Sequence, residues 1–214
     1  MFQNRTEAGR LLLREIIKRG VDKRTSFLFA IPRGGVEVAF PIASGLRKQI
    51  IPLIVRKIPA SYNKELAIGA VSQFGDVHFN ELAKAEPEGY LEKAVKEVKR
   101  EIKERVKKFG VEFDFSQVKN KELLVVDDGI ATGETVLLAV KGLMKYKPSL
   151  VHIAVPVSSA EGFEKLSEIA DVISLVTDRY FYAVSVYYEE FSQLTEDETR
   201  RYIIESSKFA TRGM

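Results

Sequence analysis

The chain has 214 residues, 45% hydrophobic and 29% charged, a balance that fits one generous domain with a sizeable core and argues against a disordered chain. Its net charge is +3, from 33 basic and 30 acidic residues, too mild to announce a nucleic-acid binder. Cysteine is absent and the only histidines are His78 and His152. Disulfides, thiolate nucleophiles, Cys-rich zinc sites and Fe–S clusters are therefore excluded, leaving carboxylates, hydroxyls, Arg/Lys and backbone amides to do the chemistry.

In chain order, 6–19 has amphipathic helical spacing, with Thr6 as its candidate cap. SFLFAI (26–31) reads as a buried strand and stops at Pro32-Arg33-Gly34-Gly35, after which helical spacing returns. A second strand is expected over 50–58, its basic pair Arg56-Lys57 near the end. A loop follows, and LAIGAVSQ and DVHF form a hairpin about 74–76, outside the main sheet. The longest helix is expected over 86–110, with Leu91, Val95, Val98, Ile102 and Val106 on one stripe. Its 91–108 portion alone is +4, so the rest of the chain sums to −1. The simplest reading of that charge is a solvated face laced with i,i+4 pairs.

The second half alternates strand (123–127), helix (134–146), strand (150–157), helix (159–170) and strand (172–177), the rhythm of an α/β fold with a parallel sheet. In the tail, Tyr182, Val184 and Val186 alternate as in a strand, and a helix is expected over 195–210. His152, inside V-H-I-A-V-P-V, reads as a satisfied core histidine, and His78 as a surface residue near the loop. No stretch approaches the ~20 consecutive apolar residues of a membrane span, and the first residues lack signal-peptide order. A cytoplasmic protein without membrane contact is expected.

The segment from Leu123 to Thr135 carries the chemistry. Buried apolar residues lead into Asp127 and Asp128, and ligands in open α/β sheets bind beyond the carboxyl ends of strands. Gly129, Ile130, Ala131, Thr132, Gly133, Glu134 and Thr135 then lead straight into a helix. Successive amides, two Thr hydroxyls and the helix N-terminus can meet one anion there. Two adjacent acids alone would read as a turn cap; joined to A-T-G-E-T they offer a grip for sugar hydroxyls beside a phosphate cradle. Neither a Walker A loop nor a dinucleotide fingerprint is present.

Residues 124–135 resemble the phosphoribosyl-pyrophosphate (PRPP) motif of type I phosphoribosyltransferases. That resemblance implies a parallel sheet flanked by helices, with a small hood and a mobile loop-and-hairpin insertion. On this reading 1–214 is one domain, with the insertion at 59–110 and an aromatic hood and helix at 178–214. Asp127 and Asp128 would hold the ribose hydroxyls, and 131–135 the 5-phosphate. Arg33, Gly34 and Gly35, with Arg56 and Lys57, would meet pyrophosphate, and a mobile loop at 59–79 would include Ser61, Tyr62 and Lys64. Arg179, Tyr180 and Phe181 are candidates for the acceptor. Mg²⁺ is expected on PRPP, meeting Asp127 and Asp128 mostly through water. Glu134 departs from the Gly or Lys of many members and must point away from the phosphate. Ala131 replaces the acid that handles a purine proton in 6-oxopurine enzymes. Where those enzymes carry an Asp near the end of the aromatic segment, this chain has Tyr187 or Tyr188.

The implied reaction displaces pyrophosphate from C1 of PRPP by a nitrogen nucleophile, with a homodimer as the expected assembly. Two other readings compete: a PRPP- or nucleotide-sensing regulator without turnover, and an RNA-interacting protein using the long basic helix. Nucleic acid is the weakest of these partners.

Overall fold

The computed structural model describes residues 1–211. Five strands, β1 (Thr25–Ala30), β2 (Ile50–Pro52), β6 (Glu122–Val126), β7 (Leu150–Ser159) and β8 (Asp171–Asp178), form one parallel sheet in the order β2-β1-β6-β7-β8. The α/β expectation is met. Alternation along the strands explains why they read as solid apolar runs. In β6, Leu124 and Val126 join a core under α1 (Arg5–Lys18), α2 (Gly34–Leu46) and α6 (Glu196–Thr211). Leu123 and Val125 face the opposite core, under α4 (Glu134–Met144) and α5 (Ala160–Ser167). A parallel sheet covered on both faces has no polar side to display.

From β1 the chain moves outward to β2, and from β6 it moves the other way to β7 and β8. The turns leaving β1 and β6 therefore diverge and open a crevice between them, the usual ligand position in such sheets.

The expected second strand is two. β2 ends at Pro52, which lacks an amide for the ladder, and the chain turns out of the sheet. β3 (Val55–Pro59) then pairs antiparallel with β4 (Ala67–Ser72), and β4 with β5 (Val77–Phe79). Leu53 and Ile54 at the corner are buried, so the apolar run never breaks in sequence. Arg56 and Lys57 consequently stand in this small sheet, not at the end of a main-sheet strand. The hairpin expected from LAIGAVSQ and DVHF is present as β4 and β5, and a connection at 60–66 joins β3 to it.

The long helix α3 (Tyr90–Phe109) starts after Gly89, whose φ is 75°, and ends before Gly110 at φ 68°. It buries Ala94, Val98, Ile102 and Phe109, whereas Val106 from the expected stripe is exposed. Arg100 pairs with Glu97 and Glu104, and Lys108 with Glu196 and Asp197, so part of its positive charge is spent within the chain. Asn4, not Thr6, caps α1 by accepting the Glu7 amide. The tail forms a 3₁₀ turn (Val184–Tyr187) instead of a strand, and Tyr180 and Tyr182 are 94% and 89% exposed, outside any core. Residues 212–214 of the expected hood-and-helix segment lie outside the described residues. Among the described residues, no helix is long and apolar enough to cross a membrane.

His152 is fully buried at the other end of the sheet, its ring nitrogens 2.7 Å from Asp171 and 2.9 Å from Glu122. Removing the ring leaves two acids converging on a cavity. His152→Ala is expected to cost roughly 3 kcal/mol, about 6–12 °C in Tm. A thermal midpoint within about 2 °C of wild type would contradict this account of the cluster.

Candidate active site

Asp127 and Asp128 emerge from β6 directly opposite the N-terminus of α2. A Cβ on Gly34 would lie 1.9 Å from Asp128 Oδ2, and one on Gly35 2.8 Å from both Asp127 Cα and the Val126 carbonyl oxygen. Glycine is required at both positions because backbone and carboxylates share that space. The Pro32–Arg33 peptide just before them is cis.

The two acids differ in their support. Arg5 Nε donates to Asp128 Oδ2 at 2.8 Å and Nη1 to the Ser192 carbonyl at 2.7 Å, and Glu37 lies 3.7 Å away. The guanidinium also sits 3.8 Å from the Phe191 ring centroid. Tyr188 Oη donates to the Asp128 carbonyl at 2.7 Å. Asp127 forms no ion pair among the described residues and feels Arg5 only weakly: its Oδ1 accepts the Asp128 amide at 2.8 Å. Burial, then the charge of Asp128, pushes the Asp127 carboxyl well above the ordinary range. Burial raises Asp128 as well, opposed by Arg5.

Beyond the acids the loop turns its carbonyls outward. Ser159 Oγ donates to the Ala131 carbonyl and, as the cap of α5, accepts the Gly162 amide at 2.8 Å. Lys165 Nζ donates to the Thr132 carbonyl at 3.2 Å. The amides of Ala131, Thr132 and Gly133 donate no hydrogen bond among the described residues, and Gly133 (φ 76°), the residue before α4, offers the helix no side-chain cap. Free amides at an uncapped helix start form an anion cradle. Glu134 is held by Lys165 at 2.6 Å, with His78 at 3.4 Å.

A cavity of about 670 Å³ joins these parts. Of the residues expected from sequence, Arg33, Gly34, Lys57 and all of 127–135 line it. Gly35 supports it from behind. The side chains of Arg33 and Lys57 form no ion pair or hydrogen bond among the described residues, so two cations face the cavity unpaired. They also border a second cavity of about 710 Å³, lined by Arg56, Lys64, Glu101 and Arg105. Arg56 is committed to Glu101 at 2.6 Å. Ser61 and Tyr62 are exposed and line neither cavity. Arg179, Tyr180 and Phe181 also stand apart from it, with Phe181 stacked on Tyr187. Val184, Phe191 and Gln193 line the hood side instead.

Sequence reasoning does not single out Arg5, Lys165, Phe191 or Gln193, and it reads His78 only as a surface residue. Arg5 has a usable signal: it falls on the same helical stripe as Ala8, Leu12 and Ile16, and a buried arginine demands an acidic partner. The others come together only through tertiary structure. No group of three or more His, Cys, Asp or Glu side chains that could hold a metal by themselves occurs among the described residues.

A family model described as a phosphoribosyl transferase domain matches residues 3–190. Mycobacterium tuberculosis Rv0571c, which carries a provisional phosphoribosyl transferase name, is 29% identical over 211 residues, covering 95% of this chain and 46% of that protein. The chain thus spans about half the length of the curated relatives it matches. The crystal structure of TT1426 from Thermus thermophilus is similar at TM-score 0.73 and 29% identity, covering 97% of this chain and 99% of that one. Purine phosphoribosyltransferase from Pyrococcus horikoshii shares the fold at TM-score 0.50 and 12% identity, over 88% of this chain and 93% of that one.

The asymmetry of the acids gives opposite stability effects. Asp127→Asn is expected to stabilise the ligand-free protein by about 1 kcal/mol, or about 2–4 °C, by removing a poorly compensated, half-buried charge. Asp128→Asn is expected to destabilise it by roughly 2 kcal/mol, because Arg5 loses its nearest acid. Since folding raises the Asp127 pKa, the folded state holds its proton longer. The Asp127 contribution to stability should therefore fall as pH rises above about 4, and the advantage of Asp127→Asn over wild type should widen there. Thermal melts across pH test this: equal shifts for both variants would refute it. Gly34→Ala should displace Asp128 and lower ligand affinity at least as much as Asp128→Asn, measured by calorimetry.

Proposed function

The chain belongs to the phosphoribosyl transferase domain family and has the type I phosphoribosyltransferase fold, and from that premise we propose that it transfers 5-phosphoribosyl from PRPP to a nitrogen acceptor. The observation that carries this reading is one cavity holding an acid pair, a cradle of free amides and two unpaired cations. Asp127 and Asp128 accept the ribose hydroxyls, and the amides of 131–135 take the 5-phosphate. Arg33 and Lys57 meet the pyrophosphate.

The acceptor nitrogen forms its bond to C1 as the C1–oxygen bond breaks, the electron pair leaving with pyrophosphate. Nitrogen then gives up its proton to solvent water. Positive charge that develops on the ribosyl ring lies close to the acid pair, and charge on the leaving group close to Arg33 and Lys57. Holding both reactants in this geometry supplies much of the rate, so no protein nucleophile is needed. Val184, Phe191 and Gln193 form the acceptor side of the cavity. The carboxylates of Asp127 and Asp128 are hard oxygen donors suited to Mg²⁺, too few to cage it without substrate phosphates and water. Held there, the ion would supply charge neutralisation for the pyrophosphate. We read residues 1–214 as one domain, working as a homodimer in the cytoplasm.

Ala131 favours a second reading, a PRPP sensor, since it supplies no acid for a purine proton. Incubation with PRPP, Mg²⁺ and a panel of purines, pyrimidines and other amines separates the two: pyrophosphate release with at least one acceptor is expected. Tight PRPP binding without release from any acceptor would establish the sensor. Asp127→Asn with Asp128→Asn should weaken PRPP binding about 100-fold or more, through loss of charge-assisted contacts to the ribose.

A further inference from the structure

A carboxylate at the first position of α4 is well placed for the helix dipole and badly placed for a phosphate on the same amides. Glu134 is that carboxylate, and it lines the cavity. The fold occupies both its oxygens from different layers. Lys165, near the end of α5, meets Oε1 at 2.6 Å, while His78 from β5 of the small sheet lies 3.4 Å from Oε2. Lys165 also holds the Thr132 carbonyl at 3.2 Å, turning that peptide away from the cavity. Its side chain is 32% exposed and makes no other ion pair among the described residues.

We propose that Lys165 is a positioning residue for phosphate binding: it draws the Glu134 carboxylate off the cradle and orients the Thr132 peptide, so that the amides of 131–135 can bind an anion despite the adjacent acid. This inference rests on the proposed placement of the 5-phosphate in that loop. Lys165 itself does not line the cavity. Its effect passes through Glu134, which distinguishes it from a cation that binds phosphate directly. Once Glu134 is neutral, a directly binding lysine would matter as much as before or more, whereas a lysine that restrains Glu134 would matter less.

A double-mutant cycle tests this, with ribose 5-phosphate and inorganic pyrophosphate as calorimetric probes. Lys165→Ala should weaken ribose 5-phosphate binding about ten-fold, and Lys165→Arg should recover most of it. In the Glu134→Gln background, Lys165→Ala should cost less than about two-fold. Pyrophosphate affinity should stay unchanged throughout, because Arg33 and Lys57 are untouched. Lys165→Gln serves as a second neutral variant if the alanine variant melts early. An equal or larger loss in the Glu134→Gln background, or parallel loss of pyrophosphate affinity, overturns the inference. If wild type binds pyrophosphate and PRPP but not ribose 5-phosphate, the inference fails alone. If it binds none of the three, the proposed function fails with it.

Discussion

Two adjacent carboxylates at the end of a buried strand need compensation, and the pairing of Arg5 with Asp128 supplies it here. One guanidinium, 4% exposed as a residue, reaches the second acid, a carbonyl of the tail and the face of Phe191. Because a buried arginine is as costly as a buried aspartate, each makes the other tolerable. The consequences spread outward. α1 must lie against the crevice, the segment around Ser192 must fold back over it, and α2 must start in glycines to leave room. The tail is further tied to the amino terminus by Phe2, whose amide and carbonyl bond to Tyr187 and Glu189.

Compensation is incomplete in a pattern that suits a ligand. Among the described residues, Asp127 forms no ion pair, Arg33 and Lys57 meet no acid, and the 131–133 amides have no acceptor. Desolvation makes Asp127 costly in the free protein, and each of these groups is one that a ligand carrying hydroxyls, phosphate and diphosphate would engage. Opposite charges stand within one cavity without neutralising each other because different elements hold them. Acids sit on the main sheet, Arg33 at the start of α2, and Lys57 on the small sheet. The strand order provides this separation, since the turns after β1 and β6 diverge at the point where the chain reverses direction across the sheet.

Much of this was legible in the residues. Solid apolar runs followed by P-R-G-G and by D-D-G-I-A-T-G-E-T gave both crevice turns, because strand ends and helix starts are local events. Glu134 was expected to point away from the cradle; it lines the cavity, with its carboxylate paired to Lys165. The split at Pro52 was hidden because Leu53 and Ile54 stay apolar for tertiary reasons, one supporting each core. Tyr180 was a candidate for the acceptor and Tyr182 for a strand, yet a 3₁₀ turn follows them and both stand in solvent. His78 and Lys165 could not be paired from sequence, since they lie 87 positions apart and meet only across Glu134.

Direct observation of PRPP in the crevice is the sharpest test of the central claim. In a crystal of the protein grown with Mg²⁺ and PRPP, the ribose 2- and 3-hydroxyls should lie on Asp127 and Asp128. The 5-phosphate should lie on the 131–135 amides and the pyrophosphate between Arg33 and Lys57. PRPP bound elsewhere, or in this cavity with its phosphate ends exchanged, would contradict the account.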